Sequence, residues 1–290
     1  MNRKDAIRVL RQEAFPPLLR EITDPPPRLF VRGTLSPAGY KHLCVVGSRS
    51  FSPYGKDVCE RLIAGLSGYP VAVVSGLALG IDGIAHRAAL SAGLPTIAVP
   101  GSGLDGSVLY PRTHLGLSRQ IVEEGGALVS ESEPMEEATV WSFPKRNRLM
   151  AGMCDAILIV EARERSGTLI TARLGMEYNR DVLVVPAPIF TPYGEGSNRL
   201  LREGAQAVTG SGDILEALKI EAQSTKNEEQ RMRHLSDEEQ KIFSALETPM
   251  PRDELIRTSG LPAVRAQIVI SSMEIKGFVC ERLGVVMRTS

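Results

Sequence analysis

The residues best suited to do chemistry lie in CVVGSRSFSPYGK, positions 44–56, where an apolar run passes directly into a Gly-Ser-Arg turn. Gly47 allows a tight turn at the carboxyl end of a strand. Ser48 and the neighbouring backbone N–H groups can then face an anion, with the Arg49 guanidinium beside them. Pro53 stands where a helix can begin, which puts Lys56 in its first turn. In an open parallel sheet, ligands bind in this crevice. The chemistry is phosphate recognition.

Two common phosphate motifs do not fit. A Walker A loop requires a glycine five residues before Gly55, where the chain has Ser50. Asp57 also stands where a magnesium-binding Ser or Thr belongs. One G-x-G-x-x-G occurs at Gly101–Gly106, but SVLYPR follows it instead of a helix, so it reads as a glycine-rich loop.

Three further clusters carry chemical potential. In VWSFPKRNRLMAG (140–152), Lys145, Arg146 and Arg148 stand beside Trp141 and Phe143. Cations meeting phosphates and rings meeting bases suit a single nucleic-acid strand; core aromatics beside a solvated turn are the plainer alternative. In EARERSGTLITARLG (161–175), Ser166, Gly167 and Thr168 could offer N–H and hydroxyl groups to a phosphate, or simply cap a helix. Asp82 and His86 lie one helical turn apart. With no nucleophile nearby in sequence, they read as a helix start and its local partner rather than an acid–base pair. The four histidines have no metal-ligand spacing, so neither a metal nor a cofactor is expected.

The elements that must position these residues follow from hydrophobic patterning. Continuous apolar runs at 43–47, 71–75, 96–100, 127–130, 156–160 and 182–186 predict strands buried on both faces. Val58, Leu62 and Leu66 recur at helical spacing between the first two runs, which makes βαβ units. The expected fold is α/β, a doubly wound, mostly parallel Rossmann-like sheet spanning 43–218. Residues 1–42 are expected to form an N-terminal helix and an extended arm, because Pro25-Pro26-Pro27 rules out helix there. Residues 219–234 are polar and charged and predict a linker. Residues 235–290 read helix–helix–helix–hairpin, a small winged-helix domain.

Bulk composition excludes several classes. The 290 residues contain 34 Lys+Arg and 34 Asp+Glu. Residues 43–218 are acidic overall, with 15 basic against 19 acidic groups, so any nucleic-acid site must be a local patch. No apolar run suffices for a membrane helix, and the N-terminus lacks a signal peptide's apolar core. The scattered Cys44, Cys59, Cys154 and Cys280 fit buried thiols in a reducing cytoplasm.

With these residues collected, the chain resembles the DNA-processing protein A family (DprA or Smf). The elements VVGSR, YGK, VVSGLALGIDGIAH, TIAVPGSGLD, YP, EEGGALVSE, FPKRNRLMAG, VEARERSGTLITA, RDVLVVP and GSNRLLREGA follow in order across roughly 22–218, and the arm REITDPPPRLFVRG resembles the family's lead-in. The resemblance implies a dimeric single-stranded DNA binder that protects incoming DNA and helps load the RecA recombinase, without nucleotide. It implies a phosphate pocket at Gly47, Ser48 and Arg49. Lys56 and the segment Phe143 to Arg148 would flank the strand, and Ser166 to Thr168 would line the same crevice. Leu79 departs from the family's usual Arg.

The winged helix carries 7 basic against 8 acidic residues, which predicts a protein-contact or regulatory role rather than duplex binding. A more distant resemblance links the sheet domain to phosphoribohydrolases acting on nucleoside monophosphates, whose motif is P-G-G-x-G-T-x-x-E. Gly167-Thr168 match it, but Thr171 replaces the glutamate and no Pro-Gly-Gly precedes. Loss of that carboxylate predicts no hydrolase activity.

Overall fold

The computed structural model describes residues 6–221, 235–246, 248–276, 278–282 and 284–288. The chain divides into two compact units, Met1–Glu221 and Ala222–Ser290. Most of the expected linker, 222–234, lies outside the described residues.

The first unit is built on one sheet. Its strands are β1 (Arg8–Arg11), β2 (Arg28–Gly33), β3 (Lys41–Gly47), β4 (Val71–Ser75), β5 (Thr96–Ala98), β6 (Ala127–Ser130), β7 (Ala156–Val160), β8 (Asp181–Val184) and β9 (Gln206–Ala207). Their spatial order is β1-β2-β6-β5-β4-β3-β7-β8-β9. The seven strands from β6 to β9 pair in parallel, and β2 and β1 add antiparallel at one edge. Every strand expected from the apolar runs is present. Both faces of the sheet are covered, which explains why those runs are continuous: along β3, Leu43 and Val45 enter one core and Cys44 and Val46 the other.

One face carries α1 (Pro53–Ala64), α2 (Ile81–Ser91) and α7 (Ser211–Ala217); the opposite face carries α4 (Ser142–Met153), α5 (Thr168–Glu177) and α6 (Glu195–Arg202). Helix α3 (Leu115–Glu123) covers β5 and β6 through Leu117, Ile121 and Val122. From β3 the chain winds outward through β4 and β5 to β6. It then returns across the sheet to β7 on the other side of β3. The β3/β7 boundary is therefore the switch point of the fold, where a crevice opens beyond the strand ends.

Among the described residues the expected N-terminal helix is not found. From residue 6 the chain instead forms β1, paired with β2 from Arg8↔Val31 to Arg11↔Arg28, and Arg8 Nη1 donates to Gly33 O at 2.6 Å. Ile7 packs on the core that holds Phe30 and Leu10 on the core that holds Leu29 and Val31, the opposite faces that positions three apart on a strand reach. Pro16 and Pro17 then admit only a short 3-10 turn, Pro17–Arg20, which places Leu19 against α4. The arm is thus part of the sheet rather than a segment laid over it.

The second unit contains α8 (Asp237–Ala245), β10 (Met250–Pro251), α9 (Arg252–Thr258), α10 (Ala263–Ile275), β11 (Val279–Arg282) and β12 (Val285–Arg288). The strands order as β10-β12-β11, antiparallel throughout, giving the expected winged helix. Ser236 caps α8 in a reciprocal box with Glu239, and Ile242, Leu255, Ile270 and Val286 form the core. Among the described residues no helix is long and apolar enough to cross a membrane.

His86, on α2, is fully buried. Thr96 Oγ1 donates to Val73 O, so it accepts from His86 Nδ1 at 2.7 Å. Burial, aided by His114, lowers the imidazole pKa to about 3. Between about pH 6.5 and 3 the unfolded chain therefore binds the extra proton, and stability falls as pH falls. In a urea series from pH 7 to 4, His86→Gln should show a shallower acid decline than the parent. The difference should reach about 1.4 kcal/mol per pH unit. Parallel declines would show that His86 does not titrate on unfolding.

Candidate nucleic-acid interface

A cleft of about 540 Å³ opens at the carboxyl ends of β3 and β7. Its lining includes Gly47, Ser48 and Arg49 after β3, Arg163, Arg165, Ser166, Gly167 and Thr168 after β7, and Phe143 and Arg146 from α4. The three sequence clusters at 47–49, 143–146 and 166–168 thus converge on one crevice.

The turn after β3 is held from two sides. An added Cβ at Gly47 would lie 2.0 Å from Val160 O, so only glycine lets β3 and β7 end this close together. Thr168 Oγ1 donates to Gly47 O at 3.1 Å and is within 2.9 Å of Ser166 Oγ, which ties the start of α5 to the turn. On the other side, Gly80 has φ +83°, and its N–H neighbour Ile81 donates to Ser48 O at 3.2 Å. The Ser48 hydroxyl is spent within its own turn, donating to Ser50 O at 2.5 Å and accepting from Ser50 N at 3.2 Å. What this segment offers an anion is therefore its backbone and Arg49.

Helix α1 is anchored to the same rim. Ser52 accepts from Gly55 N as its cap and donates through both N–H and hydroxyl to Glu161. Glu161, immediately after β7, is buried with φ +58°. Its carboxylate is thereby committed to fastening α1.

Arg146 serves inside the rim. It is 6% exposed, and Nη1 donates to Gly76 O at 2.5 Å and also to Val99 O. Burial lowers its pKa to about 10, opposed by nearby Asp82. Asp82 accepts from Gly76 N at 3.1 Å and Ala78 N at 3.4 Å; burial raises its pKa, and Arg146 opposes the rise. This pair fixes the ends of β4 and β5, and the expectation of Arg146 as an open phosphate ligand gives way to a buried brace.

The remaining candidates lie outside the cleft. Lys56 sits on exposed α1 beside Glu60 at 3.9 Å. Lys145 pairs with Glu131 at 3.3 Å. Arg148 is bound by Glu131 at 2.5 Å and by Asp24 of the arm at 3.3 Å, so it latches the arm to α4. Trp141 is highly exposed and lines a separate groove beside Glu131, Glu136 and Lys145. Phe143 does face the cleft, but its ring already carries Arg49, 5.3 Å from the centroid, and Tyr110 at 5.6 Å.

Sequence reasoning missed Arg163 and Arg165. Both line the cleft and are exposed, and among the described residues neither they nor Arg49 form an ion pair. The signal was present in E-A-R-E-R-S-G-T: two cations immediately before the turn into α5. The cleft therefore combines three guanidiniums outside any ion pair among the described residues, backbone turns and the N-terminus of α5, an arrangement suited to phosphate groups.

Gly80→Ala should lower the unfolding free energy by about 1–3 kcal/mol, because its Cβ would meet Ser48 O at 2.3 Å at a positive φ. In urea titration this appears as a lower midpoint with unchanged slope. Exposed Leu79→Ala, one residue away, should stay within about 0.5 kcal/mol. Equal effects would remove Gly80 as the support of the turn.

Comparison with known proteins agrees with this architecture. The family model for DNA recombination-mediator protein A matches residues 6–219, and that for the DprA winged helix domain matches 226–284. Protein Smf of Escherichia coli is 43% identical over 208 residues, 72% of this chain and 55% of that protein, so the match spans about half of the relative's length. DNA processing protein DprA of Streptococcus pneumoniae is 42% identical over 203 residues, covering 70% and 71%. The X-ray structure of DprA from S. pneumoniae superposes with TM-score 0.68 at 38% identity, over 73% of this chain and 75% of that one. A DNA processing protein A structure from Helicobacter pylori, described for its single-stranded DNA binding mode, gives 0.64 at 27%, over 76% and 98%. By sequence motifs, sheet order and these matches, the chain belongs to the DNA recombination-mediator protein A (DprA/Smf) family.

Proposed function

We propose that this protein binds single-stranded DNA without sequence specificity through the Gly47-Ser48-Arg49 pocket. In this reading it acts as a cytoplasmic homodimer, protects incoming DNA, and helps load RecA recombinase during natural transformation or recombination. The observation that carries the reading is the gathering at the β3/β7 crevice of Arg49, Arg163 and Arg165, none in an ion pair among the described residues. A cleft lined by backbone turns and cations suits a phosphate chain, and the H. pylori relative named for single-stranded DNA binding supports the same ligand.

No hydrolase chemistry is proposed. Thr171 lines the cleft in a buried position where the phosphoribohydrolase motif needs a glutamate. Asp82, the carboxylate among the lining residues, is committed to two backbone N–H groups and faces Arg146. Purified protein incubated with nucleoside monophosphates should release no free base by chromatography. Base release that disappears with Asp82→Asn or Thr171→Val would replace the binding reading with an enzymatic one.

Fluorescence anisotropy with labelled oligothymidine tests the binding itself. Affinity should fall steeply as salt rises, and duplex of equal length should compete poorly. Arg49→Ala should weaken binding to all sequences and flatten the log–log salt slope by about 0.7. Wild-type affinity and slope in Arg49→Ala would move the pocket elsewhere.

A further inference from the structure

We infer that Phe190, in the loop joining β8 to α6, is a base-stacking platform of the strand site, and that the strand leaves the cleft across Arg163 toward this loop. The inference rests on the single-stranded DNA reading above. It begins from the distribution of uncompensated charge. On the α4 side, Lys145 and Arg148 are neutralised by Glu131 and Asp24, so they offer a polyanion little net attraction. On the β7 side, Arg163 and Arg165 have no carboxylate partner among the described residues. Arg163 lies over the Tyr193 ring, 4.8 Å from its centroid, an interaction that orients the guanidinium without cancelling its charge.

Tyr193 belongs to the loop that carries the most exposed aromatic side chain of the described residues. Phe190 is 94% exposed and Ile189 beside it 75%. An unburied phenyl ring without packing partners has a cost that a ligand or partner removes. The loop is also braced for presentation. Tyr54 donates to Pro186 O at 2.9 Å, Asn198 Nδ2 donates to Ala187 O at 2.9 Å, and Thr191 N returns to Pro188 O at 3.3 Å. Pro186, Pro188 and Pro192 limit its backbone further.

The occupant follows from charge and from the ring already taken. Phe143, the aromatic inside the cleft, is engaged by Arg49 and Tyr110. Phe190 is free, and it shares a loop with the residue that positions an unpaired cation. A cation for phosphate beside a free ring for a base is the repeating requirement of single-strand binding. The same strand seated on Arg49 and Arg163 supplies that base.

The test separates stacking from charge. Phe190→Ala should weaken oligothymidine binding by about 5- to 100-fold with the salt slope unchanged, because stacking displaces no counterions. Phe190→Trp should retain affinity. Arg163→Ala should weaken binding and flatten the slope by about 0.7. An oligomer of abasic sites should bind wild type and Phe190→Ala equally. Trp141 is the single tryptophan of the chain, so in Trp141→Phe/Phe190→Trp the new indole should be quenched as strand binds. Wild-type affinity in Phe190→Ala, an equal loss on the abasic oligomer, or an unquenched indole in the bound complex would each overturn the proposal. Absence of oligothymidine binding by the wild type would instead overturn the underlying reading.

Discussion

A single buried guanidinium organises one wall of the β3/β7 cleft. Arg146 reaches under the crevice to the backbone carbonyls of Gly76 and Val99, just past the ends of β4 and β5, while Asp82 answers with two N–H contacts to the same stretch. An unpaired buried charge would be strongly destabilising, so removing either residue strands the charge of the other. The space for this brace is made by Gly76, where a Cβ would fall 2.2 Å from Arg146 Nη1. Through Asp82 the brace fixes the beginning of α2, and through α2 it fixes Gly80 and the turn of Ser48 and Arg49. The exposed Arg49 owes its placement to an arginine that solvent barely reaches.

The arginines of the first unit thus divide by environment into different tasks. Arg146 braces, Arg148 fastens the arm through Asp24, and Arg49 and Arg163 rest on aromatic faces. Aromatic support suits a binding cation because it limits side-chain freedom while leaving the charge available. Carboxylate support would do the first and forfeit the second. The cleft accordingly remains electropositive within a chain whose basic and acidic residues balance.

Much of this fold was legible in the sequence because strands buried on both sides leave an unbroken apolar signature, and Pro53 and Ser236 mark helix starts. The convergence of 47–49, 143–146 and 166–168 was expected only from the family resemblance; the side-by-side pairing of β3 and β7 supplies its physical reason. The N-terminal strand escaped because β1 is four residues long and its pairing with β2 reaches across some twenty residues, a distance local patterning does not register. The roles of Arg146 and Arg148 escaped for a similar reason. Their partners Gly76, Val99, Glu131 and Asp24 are remote in sequence, so an R-N-R pattern could not separate a brace and a latch from a pair of surface charges. Arg163 and Arg165 were obscured by the intervening Glu164, which made the segment look balanced.

The winged helix follows the opposite electrostatic plan. Arg265 is held by Glu238, Lys276 by Glu239, and Arg252 by both Glu274 and Glu281, while Arg288 lies over Phe243. On the helix that such modules commonly present, Val264 and Ile268 are exposed one turn apart. Arg252, Arg265 and Lys276 are thus internally neutralised and the exposed ridge is aliphatic, a surface suited to association through dehydration, which moderate ionic strength scarcely alters. The two units of one polypeptide therefore present surfaces of opposite character: guanidiniums whose pull on anions salt screens, and an aliphatic ridge that salt leaves unchanged.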